Sequence, residues 1–299
     1  MRLPTSGMRL TMRSDDMKIG LQYKNQDHIL DEKVKNGVPY LSFPLLEETG
    51  IVNHGFSTRL GGVSTGGCAT MNISTHRGDD PEAVVENRKR IAAAIGVNPD
   101  KMVYTCQTHT THVALVTKED AGKSLPETDG MITRDPGICL VTFYADCVPL
   151  YFVDPVHKAI GLSHSGWRGT VGKMANVTVR KMQEAFGSRP SDLLAAVGPS
   201  ICQDCYEVSE DVIRIFREQY CSSVWGELFY QKEEQKDAGK YQLDLWKANT
   251  LNLLEAGLLR EHIAVTNVCT CCNPSILFSH RVTGWDRGNL SAFLALKEV

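Results

Sequence analysis

The chain has 299 residues, with 32 Lys and Arg against 35 Asp and Glu for a formal net charge of -3, and it is 42 % hydrophobic and 22 % charged. That balance belongs to a packed globular protein and excludes both a disordered chain and a general binder of nucleic-acid backbone, whose affinity comes from surplus, clustered Lys and Arg. A membrane span is also excluded, because the longest apolar stretch, Ile138 to Val153, is broken by Asp146 and Pro149.

Residues 1–37 read as a mobile leader and N-terminal extension, with methionines at 1, 8, 12 and 17 and no sustained apolar period. Arg2, Arg9 and Arg13 suit an organelle transit peptide, which Asp15 and Asp16 argue against. One domain is expected over 38–299. Pro39 to Phe43 and His54 to Arg59 read as short strands, followed by the Gly-rich loop 60–67. Asp80, Pro81, Glu82 and Gly96 punctuate a helix: cap, first-position proline, acidic first turn and left-handed exit. Strands follow at Met102 to Gln107, His112 to Thr117, Ile138 to Ala145, Pro149 to Asp154 and Ala159 to His164. A helix from Val171 to Phe186, a strand from Leu193 to Val197, and helices at Glu210 to Gln219 and Leu243 to Ala256 come next. Ile263 to Val268, Ile276 to His280 and Leu290 to Leu296 close the chain as strands. Strands and helices mix without strict alternation, which predicts an α+β fold: a layered sandwich of mixed β-sheets with flanking helices, in a single domain.

Ten cysteines and nine histidines remain to be placed. A chain of this length needs no disulfide staples, and its start lacks the apolar core of a signal peptide, so a reducing cytoplasm is expected. There, cysteines are small buried hydrophobes, metal ligands or nucleophiles. His109, Cys147 and His164 stand at three apparent strand ends, 38 and 17 positions apart (147 minus 109, 164 minus 147). Such gaps imply assembly by folding, and three protein ligands leave zinc a fourth position for water or substrate, as in catalytic sites. The alternative for each is a packed, hydrogen-bonded side chain. His112 reads as a neighbour, and Asp146 as structural. In Ser165-Gly166-Trp167-Arg168-Gly169 the glycines permit close approach, Trp167 offers an aromatic face, and Arg168 suits an oxyanion. Arg59 is a second candidate anion ligand, and His280 beside Arg281 stands out among the other histidines. Cys202-x-x-Cys205 and Cys269-x-Cys271-Cys272 have the makings of a structural zinc site, but the second group is cramped, and packed free thiols are the favoured reading.

Gly55-Phe56-Ser57-Thr58-Arg59-Leu60-Gly61-Gly62, Gln107-Thr108-His109, Asp129-Gly130, Ala145-Asp146-Cys147, His164-Ser165-Gly166-Trp167-Arg168-Gly169, Gly198-Pro199-Ser200-Ile201 and Phe278-Ser279-His280-Arg281 form an ordered set. With it the sequence closely resembles the laccase-domain family, first described as polyphenol oxidases and now regarded as zinc-dependent purine nucleoside phosphorylases that also deaminate adenosine. The resemblance implies that His109, Cys147 and His164 bind the metal. It further implies phosphorolysis of adenosine, inosine, guanosine or methylthioadenosine, with Arg168 and Arg59 on phosphate and Trp167 or His280 bordering base or ribose. Ser165 replaces a usual Ala, Thr110 a frequent Gly and His280 a common Tyr. Partners are therefore purine nucleosides and phosphate, with no nucleic acid or membrane. Two other readings stay open: a copper-dependent polyphenol oxidase, with copper in place of zinc, and a cysteine hydrolase using Cys147.

Overall fold

The computed structural model describes residues 19–235 and 238–298; residues 1–18 of the leader and extension expected over 1–37 lie outside them. The larger sheet runs, edge to edge, β1 (Asp31–Lys35), β2 (Val38–Ser42), β3 (Val52–Ser57), β16 (Leu290–Leu296), β8 (Cys139–Tyr144), β4 (Met102–Thr105) and β6 (Ser124–Leu125). A second sheet runs β15 (Ile263–Val265), β11 (Leu194–Val197), β9 (Val148–Asp154), β10 (Ala159–Ser165), β7 (Gly130–Thr133) and β5 (Val113–Leu115). Both are mixed, with parallel pairs at β4–β8, β4–β6, β11–β15 and β5–β7. A small antiparallel sheet joins β12 (Glu207–Ser209), β14 (Lys240–Leu243) and β13 (Phe229–Tyr230).

Strand alternation explains the layering. On β9, Tyr151 and Val153 face Leu140, Leu294 and Phe56 of the larger sheet in one core. Phe152 and Leu150 point the other way, onto α4 (Met174–Phe186), α5 (Glu210–Gln219) and α7 (Leu245–Glu255). The outer face of the larger sheet, with Val141 and Phe293, is covered by Ile91 and Ile95 of α2 (Pro81–Ile95). The result is the expected α+β sandwich, helix layer on each outside and two sheets between, with strands buried on both faces. Tyr151 Oη donates to Gly55 O at 3.0 Å and Tyr144 Oη to Ser163 O at 3.1 Å, so two tyrosines stitch the sheets together through the core. Among the described residues no helix is long and apolar enough to cross a membrane.

The start of α2 follows its punctuation: Asp80 accepts from Glu82 N–H, and Gly96 takes φ 85°. Three expectations change. A regular strand precedes Val38, because β1 pairs with β2 across the Asn36-Gly37 turn, where both residues have positive φ, as a tight hairpin requires. The expected helix from Val171 is interrupted by Lys173 at φ 59°, leaving α3 (Trp167–Val171) and α4. Ile276 to His280 is no strand; its apolar residues plug the inter-sheet core from a turn that leads into α8 (His280–Thr283).

His54, on β3, accepts the Phe43 N–H on Nε2 at 2.8 Å, which requires a neutral ring. Burial pushes its imidazole down from 6.5 to about 4, with Lys33 and Lys297 acting in the same direction against Glu47. The unfolded chain takes up this proton below about 6.5 and the folded chain resists until about 4. Stability is therefore expected to fall as pH drops through that window, by on the order of 3 kcal/mol from this group. His54→Gln keeps an acceptor but does not titrate; urea midpoints measured across the window should depend less steeply on pH in the variant.

Candidate metal centre

The two sheets converge where three loops meet. His109 lies after β4, in the left-handed region at φ 62°. A non-glycine residue holds that conformation only when its surroundings compensate. Asp129 does so: its carboxylate accepts the N–H groups of Thr108, His109 and Thr110 at 3.0, 3.0 and 2.9 Å, and the Thr110 hydroxyl at 2.9 Å.

Cys147 follows the tight turn between β8 and β9. Asp146, at φ 90°, makes that turn and is held from both sides. Its Oδ1 accepts from Thr270 Oγ1 at 2.6 Å and its Oδ2 from Arg281 N–H at 2.7 Å. His164, buried near the end of β10, turns Nδ1 to Asp129 Oδ1 at 2.9 Å, while its own N–H donates to Asp129 O at 2.7 Å. Nε2 is thereby left for a second partner. This is the carboxylate–imidazole arrangement that fixes the tautomer of a metal-binding histidine.

The donor atoms of His109, Cys147 and His164 all lie within 4.8 Å of one another. The two imidazoles meet edge to face, with centroids 4.9 Å apart. Space is kept by Gly166, where a Cβ would sit 3.0 Å from Cys147 Sγ and 3.3 Å from His109 Cδ2. Burial alone would push the Cys147 thiol up, but the charges and hydrogen bonds of His164 and His109 bring it well below the ordinary thiol range. Burial likewise opposes a charged His164, and Cys147 with Asp129 overcomes it, raising the imidazole. Asp129 is drawn below the usual carboxylate range despite its burial, by His164 and the loop N–H groups. A thiolate and two imidazoles with one fixed tautomer suit zinc, and three donors leave a coordination position open.

All three donors line a cleft of about 660 Å³, within the range of small-molecule sites. His280 lines it, its ring 5.0 Å from that of Trp285. Arg59, Trp167 and Arg168 lie outside its lining. Arg59 donates Nε to Ala69 O at 3.0 Å and Nη1 to Pro274 O at 2.8 Å, and stacks over Phe278. The Arg168 guanidinium lies 4.3 Å over the Trp167 ring, on the exposed side of α3. His112 contacts Glu127 O through Nδ1 at 3.0 Å and takes no part in the donor group.

Asp129 escaped the sequence reading as a functional residue, as did two cleft arginines, Arg77 and Arg287. Arg287 Nε is buried with no hydrogen-bond partner among the described residues. Its Nη1 donates to Gly288 O at 3.0 Å and to Asn289 Oδ1. Arg77 donates to Arg287 O at 3.1 Å and Trp285 O at 2.7 Å. Burial and the Arg77 charge push the Arg287 guanidinium down to about 10. An anion would relieve both.

Residues 53–297 match the family described as multi-copper polyphenol oxidoreductase laccase. The purine nucleoside phosphorylase YlmD of Bacillus subtilis is 37 % identical over 82 % of this chain and 88 % of its own. A purine nucleoside phosphorylase of Deinococcus radiodurans is 40 % identical, over 87 % of this chain and 94 % of its own. The crystal structure of YlmD from Geobacillus stearothermophilus superposes with a TM-score of 0.83 at 34 % identity, covering 90 % of this chain and 99 % of that one.

Because Asp129 fixes both the His109 loop and the His164 tautomer, Asp129→Asn is expected to weaken the affinity of this donor group for added zinc roughly ten- to a hundredfold. Competition against a chromogenic chelator measures this, and an unchanged affinity would deny Asp129 that role.

Proposed function

The chain belongs to the multi-copper polyphenol oxidoreductase laccase family, and from that premise we propose that it is a zinc-dependent purine nucleoside phosphorylase. Adenosine, inosine, guanosine or methylthioadenosine would be cleaved by phosphate to the free base and a pentose 1-phosphate. One observation carries the reading: a single cleft joins an open three-donor group to Arg287, a cation whose buried Nε has no partner among the described residues. The phosphorylase names of the similar bacterial proteins support it.

In phosphorolysis a phosphate oxygen bonds to C1′ as the bond from C1′ to the purine nitrogen breaks, and the departing base keeps the electron pair and takes a proton. His109, Cys147 and His164 hold the metal, which when bound supplies Lewis acidity and lowers the pKa of water, chemistry suited to both cleavage and an accompanying deamination of adenosine. Asp129 keeps the donor set in place. Arg287, in the cleft lining, binds phosphate through its guanidinium, and Arg77 adds a second positive charge while pinning the 285–287 backbone. Trp285, 78 % exposed, and His280 give a planar base an aromatic wall at the mouth. Arg168, Trp167 and Arg59 are assigned outer or structural parts here, because their side chains are engaged away from the cleft lining.

Copper-dependent phenol oxidation fits less well. A multicopper centre needs many paired histidines, and the metal-type groups among the described residues are this one and a group of four cysteines. A Cys147 hydrolase fits less well too, since two imidazoles converge on its sulfur as on a shared ligand point.

Metal-quantified protein incubated with inosine and phosphate is expected to release hypoxanthine only when phosphate is present, and Cys147→Ala to abolish release. Arg287→Gln should raise the KM for phosphate roughly ten- to a hundredfold, the worth of one charge-assisted hydrogen bond, and move the KM for inosine far less. Release without phosphate, or an active Cys147→Ala variant, would refute the phosphorylase reading.

A further inference from the structure

Outside the cleft, the described residues contain another group of metal-type side chains. Cys202, Cys205, Cys269 and Cys272 bring their sulfurs within 4.8 Å of one another, and each is a free thiol. Cys202 precedes and Cys205 ends the 3-10 turn Gln203–Cys205 that follows β11; Cys269, bridged to Ser200, and Cys272 bound the turn beyond β15. Spacing is three positions in both (205 minus 202, 272 minus 269), so two equal Cys-x-x-Cys loops face each other, and Cys271, which contacts Cys205, lies outside the four-sulfur group.

Geometry separates the possible states. Cys205 Sγ and Cys272 Sγ stand 3.6 Å apart. A disulfide needs about 2.05 Å, whereas sulfurs about 2.3 Å from a central zinc lie about 3.8 Å apart at the corners of a tetrahedron. The Cys202 N–H donates to Cys269 Sγ at 3.3 Å, an outer-shell contact that steadies a thiolate. Thiols packed merely as hydrophobes have no reason to meet head to head, least of all Cys205 and Cys272, which are only half-buried.

We propose that these four cysteines hold one zinc ion as a closed tetrathiolate that clamps the loop after β11 to the loop after β15. Each thiol gives its proton to solvent as its sulfur bonds the ion, with no change of oxidation state. The complex carries a net charge of about -2 from one divalent ion and four thiolates. Lys24, 2.7 Å from Asp204 between the first two cysteines, supplies positive charge beside it. Four protein donors leave no open position, so the role is structural.

What the clamp secures is visible in Thr270, which lies between Cys269 and Cys272. Its N–H donates to Ser200 O at 3.1 Å, and its hydroxyl donates to Asp146 Oδ1, the residue before Cys147. The clamp thus fixes the floor beneath the cleft without touching its donors.

The test uses the full chain grown with zinc. Metal analysis of the His109→Ala/Cys147→Ala/His164→Ala variant is expected to return one zinc per chain. Adding Cys205→Ser and Cys272→Ser should remove it, and adding Cys271→Ser should not. A folded triple variant without zinc, or one that keeps zinc after loss of Cys205 and Cys272, overturns the proposal, whatever the cleft binds. Should the variants fail to fold, alkylation of the wild-type chain mapped by mass spectrometry decides. Cys205 and Cys272 are expected to be protected until a chelator is added, and equal labelling with and without chelator overturns the clamp.

Discussion

The Asp129 carboxylate is the point on which the cleft depends. It is fully buried, it collects three consecutive backbone N–H groups from the 108–110 loop, and it receives His164 Nδ1. A buried carboxylate with that many donors stays ionised, and an ionised carboxylate keeps the loop in the left-handed turn that carries His109. One charge therefore positions two of the three metal-type donors. The third, Cys147, is placed by a second aspartate, Asp146, which holds a strained turn through Thr270 and Arg281.

Both aspartates work because the sandwich brings separate chain segments to the same end. Antiparallel pairing of β10 with β7 sets Ser163 opposite Gly130, so Asp129 arrives beside His164. Pairing of β9 with β10 sets Val148 opposite Ser165 and brings Cys147 to the same level. Tyr144, whose hydroxyl bonds Ser163 O, ties the larger sheet to this corner and packs its ring 5.6 Å from that of His164. The strands are buried on both faces and cannot slip without exposing apolar side chains, which gives the donors a rigid base.

The sequence carried much of this, unevenly. Helix α2 was legible because its cap, proline and glycine are local signals, and the donor triad because ligand-type residues stood at strand ends. The edge strand Asp31–Lys35 was hidden by its polar composition, though Asn36-Gly37 marks its hairpin. Ile276 to Phe278 imitated a strand because an apolar plug and a buried strand have the same composition. Asp129 stood out only as part of an Asp-Gly motif with no role; only tertiary folding shows that it serves two loops. Arg77 and Arg287 come from irregular loops more than two hundred positions apart and join through backbone carbonyls, which no local pattern reveals. Cys271 between Cys269 and Cys272 made that group look cramped and favoured packed free thiols over a second metal.

Fold and chemistry meet in the three metal-type donors that line the cleft. Anomalous diffraction at the zinc edge from crystals of the zinc-loaded chain tests this most directly. The expected result is a peak held by His109, Cys147 and His164 alone among protein groups, with its remaining side open to the cleft that His280 and Arg287 line. A peak closed by a fourth protein ligand, or no peak between these three side chains, would contradict it.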